Sequence, residues 1–173
     1  MTGHKETLGL QDKLTVRLIQ GSDAEELREN IYSQNSLEEV RERVASFLQA
    51  YADEEAVPLV AEVDGHVVGV IHIAFNAHPL KAHTCTLSDV VVNPEFQRKG
   101  IARRLFEESK RLASMKGKSM MLVSCRGGPP AETVYRRLGF IEYGRLPNGI
   151  VEPWGENKAF DEVLFYLVLD GVE

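Results

Sequence analysis

Apolar and polar residues alternate from Leu14 to Ile19, with Leu14, Val16 and Leu18 set against Thr15 and Arg17. That period of two is the pattern of a half-buried strand. Ser22 followed by Glu25 has the spacing of a capping box, in which each side chain satisfies the other residue's free amide. It predicts a helix to about Gln34. Ser36 and Glu39 repeat the spacing and open a second helix, where Leu37, Val40, Val44, Phe47, Leu48 and Tyr51 recur on a helical period. Pro58 closes the helical stretch and begins a strand over Leu59 to Val63. Asp64-Gly65 is a hairpin-turn dipeptide, and His66 to Phe75 returns as the antiparallel partner. A polar loop with Pro79 leads to a further strand, Thr84 to Val92, which ends in Asn93-Pro94.

A short connection, Pro94 to Lys99, and Gly100 precede a helix with Ile101, Leu105, Leu112 and Ala113 on one face, ending near Lys116-Gly117. Met120 to Cys125 reads as a short buried strand, broken by Gly127-Gly128-Pro129-Pro130. Proline is well placed at the first position of a helix. The helix that follows points Val134 and Leu138 inward and stops at Gly139. Phe140-Ile141 starts another strand. A long irregular loop, Arg145 to Asp161, holds Pro147, Gly149, Pro153, Trp154 and Gly155, and Val163 to Leu169 is the last strand. The order β-α-α-β-β-β-α-β-α-β-β, without repeat or linker, predicts one mixed α/β domain over residues 13–173 behind a loose leader, residues 1–12.

The length of 173 residues, 43% of them hydrophobic, suits a single domain with a substantial core. No apolar run approaches the ~18 residues of a membrane span. The polar stretch from Met1 to Lys13 lacks the apolar centre of a signal peptide. A cytoplasmic protein is expected. A formal charge of −6 argues against general binding to nucleic acid. Cys85 and Cys125 are too few and too far apart for a zinc site and read as small buried thiols. Neither sits in a nucleophile arrangement, and no metal is expected.

The positive charge is clumped. Arg98, Lys99, Arg103 and Arg104 lie within seven residues, opposed nearby only by Glu95. They surround the point where Val90-Val91-Val92-Asn93-Pro94-Glu95-Phe96-Gln97-Arg98-Lys99-Gly100-Ile101-Ala102 passes from strand through loop to helix. The first turn of a helix has free N–H groups and a positive dipole end, a combination that binds phosphate. Gly100 and Ala102 leave room for a close approach, and several successive N–H groups pointing one way suit a pyrophosphate. The segment lacks the Gly-Lys-Ser/Thr ending of a P-loop and two of the three glycines of a dinucleotide fingerprint.

Gln97-x-x-Gly100-x-Ala102, with the preceding Val-Val-Val-Asn-Pro-Glu-Phe, resembles the Gln/Arg-x-x-Gly-x-Gly/Ala acyl-CoA motif of the GNAT acetyltransferases. Downstream, Ala131-x-x-Val134-Tyr135-x-x-x-Gly139-Phe140 is similar to the family's Ala-x-x-Leu-Tyr-x-x-x-Gly-Phe pattern. The element order over roughly residues 14–169 also looks like theirs. The resemblance implies a mixed, mostly antiparallel sheet flanked by about four helices. The strand before the loop would splay from its neighbour and hold the pantetheine arm of acetyl-CoA through backbone groups of Val90, Val91 and Val92. The pyrophosphate would lie on Gln97, Arg98, Lys99, Gly100, Ile101, Ala102 and Arg103.

By the same resemblance Tyr135 matches the general acid. Expelling a thiolate calls for a proton, and a tyrosine (pKa about 10) giving one to a thiolate (about 8.5) is modestly uphill from ordinary values. Two positions depart from the pattern. Gly128 stands where the family often has an Asn that contacts the cofactor. No carboxylate lies on Met120 to Ser124, one of the family's usual places for a base, which leaves Asp89 as the candidate general base and His72 on the neighbouring strand as a second. Gly144-x-Leu146-Pro147 … Pro153-x-Gly155 … Phe165-Tyr166 looks like the branch that contains the tabtoxin resistance protein. It points to a small-molecule amine acceptor, with Glu29, Tyr32, Trp154 and Glu156 as candidate contacts. A peptide or protein acceptor and a non-catalytic CoA-binding module are the alternatives. The family resemblance also allows a homodimer.

Overall fold

The computed structural model describes residues 13–154 and 156–169, together with Gly9. The rest of the leader, Gly155 and the last four residues lie outside the described residues. The strands are β1 (Leu14–Leu18), β2 (Ala56–Val63), β3 (His66–Phe75), β4 (Thr84–Val92), β5 (Met120–Arg126), β6 (Ile141–Glu152) and β7 (Lys158–Val168). The helices are α1 (Ala24–Asn30), α2 (Leu37–Ala52), α3 (Ile101–Met115) and α4 (Ala131–Arg137). Their order along the chain is the one expected.

All seven strands form one sheet, in the order β1-β2-β3-β4-β5-β7-β6. Every neighbouring pair is antiparallel except β4 and β5. Side chains alternate between the faces of a strand, and this divides the core in two. Leu59, Ala61, Ile71 and Ile73 pack with Ile101, Leu105 and Phe106 of α3. Val60, Val67 and Val70 pack on the other face with Leu27 of α1 and Val40 and Val44 of α2. The turn between β2 and β3 has Asp64 at φ 52° and Gly65 at φ 84° with Val63 opposite His66, the two-residue hairpin that the dipeptide predicts.

The Ser36 box is formed. Ser36 Oγ accepts from the Glu39 amide at 3.2 Å, and Glu39 Oε2 accepts from the Ser36 amide at 2.6 Å. The Ser36 amide and hydroxyl hold the Glu39 carboxyl below the usual carboxylate range. A lowered carboxyl stabilises the fold above its unfolded pKa and loses that effect as pH falls through the folded value, so the box is intact at neutral pH. Ser36→Ala is expected to cost about 1 kcal/mol. A fall of about 2–4 °C in the thermal midpoint at pH 7 checks it.

Three expectations are corrected. Ser22 and Glu25 do not open the first helix. Gln20 and Asp23 form a box instead, on the 3-10 turn Gly21–Asp23 that leads into α1, and the Asp23 carboxylate also takes both terminal nitrogens of Arg17 at 2.8 and 2.9 Å. With Asp23 held as its N-cap, α1 begins at Ala24, and it closes at Asn30 rather than Gln34. Val134 is exposed, and Tyr135 is the buried residue of α4. The segment Arg145 to Asp161 is a β-hairpin rather than an irregular loop. Its Pro147, Asn148 and Gly149 are absorbed where the β6–β7 register shifts between Leu146 and Ile150. Only glycine fits at 149, since a Cβ there would lie 2.8 Å from Glu162 Cβ.

Candidate active site

β4 and β5 pair only from Thr84↔Met120 to Leu87↔Val123. Beyond that, β4 runs on to Val92 and β5 to Arg126 without meeting. The cause lies on the other edge of β4. His72 faces Ser88 and Val70 faces Val91, so Ile71 alone opposes Asp89 and Val90. This is a β-bulge, which bends the strand that carries the extra residue, and Asp89 sits in it at φ 50°. The bend opens a cleft of about 1350 Å³ between β4 and α3 on one side and the segment Pro129 to Leu138 on the other.

Val90 and Val92 line this cleft, and Val91 does not. The Asn93 amide donates to Val68 O at 2.8 Å. Backbone groups alternate in direction along an antiparallel strand, so Val91 turns its amide and carbonyl to β3 and Val92 turns its own outward. Gln97 Nε2 donates to the Val92 carbonyl at 3.4 Å.

Past Val92, Asn93 Oδ1 accepts from the Glu95 amide at 2.9 Å and caps a tight turn, Pro94–Phe96. Arg98 at φ 61° and Gly100 at φ 83° then swing the chain into α3. Gly100 is the N-cap in the left-handed region, where a Cβ is costly. The first helical bond runs from the Arg104 amide to Gly100 O at 3.0 Å. The amides of Ile101, Ala102 and Arg103 therefore have no helical acceptor. Gln97, Arg98, Ile101, Ala102 and Arg103 line the cleft, while Lys99 lies with its ammonium 5.2 Å from the Phe96 ring centre. Among the described residues, Arg98, Lys99, Arg103 and Arg104 form no salt bridge. Cations that form no salt bridge among the described residues, beside three amides without a helical acceptor, are the donors and charge that an anion would need.

Tyr135 lines the opposite wall. Its ring lies edge-on to Phe140 at 5.6 Å and tilted against Phe165 at 5.9 Å. Burial, with Cys125 adding to it, pushes the phenol well above the ordinary tyrosine value, so it keeps its proton at neutral pH. Both cysteines are free and buried, and burial pushes the Cys85 and Cys125 thiols up to about 11.

Asp89 lies in the bulge next to Val90. Its Oδ1 accepts from Arg43 Nη1 at 3.1 Å and from the Tyr32 hydroxyl at 3.3 Å. The Arg43 guanidinium stacks 4.6 Å over the Tyr32 ring. Burial, then the Asp89 charge, pushes the Tyr32 phenol up. His72 stacks on Phe47 at 4.5 Å, with Nδ1 3.2 Å from Ser88 Oγ. Its Nε2 is buried without a partner among the described residues. Burial lowers the imidazole and Asp89 partly opposes this.

Neither Asp89 nor His72 is among the residues that line the cleft, and the other candidate contacts do not converge on it. Glu29 lines a separate groove with Glu25, Arg28 and Leu37. Tyr32 is buried against Asp89, and Trp154 is 62% exposed at the tip of the β6–β7 hairpin beside Glu156. Sequence reasoning missed Arg43, whose partners lie in distant parts of the chain, Asp89 being 46 residues away. It also missed Glu107 and Arg137, which line the cleft. Each of those two follows a motif residue at short spacing, four after Arg103 and two after Tyr135.

Residues 23–140 match the model of the acetyltransferase (GNAT) family. No match is found among curated proteins. Among solved structures, yncA from Salmonella typhimurium, determined with its cofactor acetyl-CoA, aligns over 91% of this chain and 95% of its own at 21% identity and a TM-score of 0.74. A ribosomal-protein-alanine N-acetyltransferase from Brucella melitensis aligns over 90% and 99% at 22% identity, TM-score 0.74. A spermidine N-acetyltransferase SpeG chimera from Vibrio cholerae and hSSAT aligns over 91% and 96% at 17% identity, also at 0.74. At these identities the likeness is one of fold.

Proposed function

The chain belongs to the GNAT acetyltransferase family, and from that premise we propose that it transfers an acetyl group from acetyl-CoA directly to a primary amine of a small molecule. The observation that carries the reading is the cleft itself, with cations that form no salt bridge among the described residues and helix N-terminal amides at one wall and a buried, protonated phenol at the other. Its volume of about 1350 Å³ exceeds the usual ~300–1,000 Å³ of small-ligand pockets, and an elongated cofactor with a charged end fits such a shape. Residues 13–173 form the catalytic domain in this reading, and the protein works in the cytoplasm.

Gln97 to Arg103 hold the pyrophosphate, chiefly through the amides of Ile101, Ala102 and Arg103. The outward-facing backbone of Val92, with the side chain of Val90, lines the path of the pantetheine arm. Bound acetyl-CoA supplies the acetyl group and a thiolate leaving group. Tyr135 donates a proton where the sulfur departs, and Asp89 takes one from the amine. Burial makes Tyr135 a weaker acid than in water, but the same dry cleft raises the basicity of a departing thiolate, because desolvation penalises both anions.

A peptide or protein amine is the second reading, and one observation favours it. The segment that would have closed the acceptor side is a hairpin whose tip leaves Trp154 62% exposed, and an open side admits a chain end.

Calorimetry with acetyl-CoA, and CoA release followed with a thiol dye, test the proposal. The acceptor panel is spermidine, kanamycin, L-lysine and an Ala-Ala dipeptide. Binding of acetyl-CoA and amine-dependent release are expected. Gly100→Val should weaken acetyl-CoA binding at least tenfold, because a β-branched residue resists positive φ and its methyls stand where an anion would approach. Wild-type protein that binds no acetyl-CoA overturns the reading.

A further inference from the structure

Asp89 is held unsymmetrically. Both of its partners, Arg43 Nη1 and the Tyr32 hydroxyl, take Oδ1. Oδ2 makes no hydrogen bond among the described residues. It is not sealed away either: the one buried side-chain polar atom without a partner among them is His72 Nε2. The Asp89 side chain remains 24% exposed, at the bulge that opens the cleft.

The two partners are themselves fixed. Tyr32 is 8% exposed and packs in the cluster of Leu27, Val40 and Val44 beneath α1 and α2. Arg43, from α2, lies on the Tyr32 ring, which orients its fork toward β4. A buried ring and a half-exposed guanidinium stacked on it thus reach the same oxygen of one carboxylate. His72, from β3, is a further titratable group beside Asp89, and among the described residues its only hydrogen bond is to Ser88.

We propose that Arg43 and Tyr32 are positioning residues of the acetyl transfer, anchoring Oδ1 of Asp89 so that Oδ2 faces the incoming amine. The inference rests on the transferase reading above. In the step, the amine nitrogen forms its bond to the thioester carbonyl carbon and loses a proton to Asp89 Oδ2. The carbon–sulfur bond breaks, its electron pair leaves on sulfur, and Tyr135 gives sulfur a proton. Solvent returns the Asp89 proton to Tyr135, so amine and acetyl-CoA become amide and CoA with no other reagent. A carboxylate free to rotate about its side-chain bonds would meet the amine in the right geometry less often, and orientation is a large part of a catalytic rate.

The test is a double-mutant cycle with the amine of the panel that the wild type turns over fastest. Arg43→Ala is expected to lower kcat about fivefold while leaving the KM for acetyl-CoA within about twofold. Arg43→Lys, which keeps a cation, recovers part of the loss. Tyr32→Phe keeps the ring under Arg43 and lowers kcat about threefold. Asp89→Asn lowers kcat about tenfold, and Arg43→Ala/Asp89→Asn is no slower than Asp89→Asn alone, because a residue that acts through another contributes nothing once that other is gone. Added ethylguanidinium restores Arg43→Ala but not the double variant. Unchanged kcat in Arg43→Ala, or losses that multiply in the double variant, overturn the inference and leave the transferase reading standing. Wild-type protein that binds acetyl-CoA yet releases CoA with none of the four acceptors overturns both.

Discussion

Tyr135→Phe is expected to lower kcat for amine-dependent CoA release about a hundredfold, within the ~10²–10⁴ range of general-acid contributions. The binding constant for acetyl-CoA and the thermal midpoint should barely move. The variant keeps the ring and so keeps the packing on Phe140 and Phe165. What it removes is the phenol hydroxyl that Tyr135 carries on the cleft wall. Because burial pushes that phenol up, it stays protonated across the neutral range, and its own ionisation puts no basic limb on the rate there. The sign of the linked stability effect follows. A phenol raised in the fold contributes fully below its unfolded value of about 10 and loses that contribution as pH rises toward the folded one. Wild-type stability should therefore fall above about pH 10, and Tyr135→Phe should flatten that fall. A variant that releases CoA at the wild-type rate would remove Tyr135 from the chemistry and leave it as packing.

What could be read in the sequence was local. Asp64-Gly65, the Ser36 and Glu39 box, and the run from Val90 to Ala102 each fix their own backbone with residues a few positions apart. Short-range rules suffice for those. The splay of β4 from β5 was implied only by family resemblance, since the bulge that produces it is a register mismatch with β3 and leaves no mark in the residues around Asp89. Arg43, Tyr32 and Asp89 come from three parts of the chain, and no spacing rule could join them. The β6–β7 hairpin was hidden by its own breakers. Pro147 and Gly149 mark a loop unless a partner strand absorbs them in a bulge, which is a tertiary fact. In α4 a helix of two turns gives too short a period to choose between Val134 and Tyr135 as the inward residue; the aromatic floor beneath Tyr135 decides it.

That floor is Phe165, and Phe165→Ala is expected to cost about 3–5 kcal/mol. The thermal midpoint should fall by about 10 °C, since each kcal/mol is worth roughly 2–4 °C in a chain of this size. The side chain is completely buried, on a strand paired with Val123 on one side and Glu142 on the other. Its ring carries Tyr135 at 5.9 Å and the Arg136 guanidinium at 5.3 Å. A seven-residue helix is too short to be stable on its own, so α4 stands where its contacts put it. Arg136 pairs with Glu142, and Glu132 accepts from Arg145 at 2.6 Å, but such half-exposed ion pairs contribute little in water. The ring beneath Tyr135 therefore holds the helix more strongly than they do. Two effects should appear together in Phe165→Ala. One is the lower midpoint. The other is a drop in kcat of about tenfold at 15 °C, where the variant is still folded, because Tyr135 has lost the surface that aims it. Phe165→Leu refills most of the space and should recover the midpoint more fully than the rate. If kcat at 15 °C matched the wild type in Phe165→Ala, α4 would be held by its ion pairs and the aromatic floor would matter to stability alone.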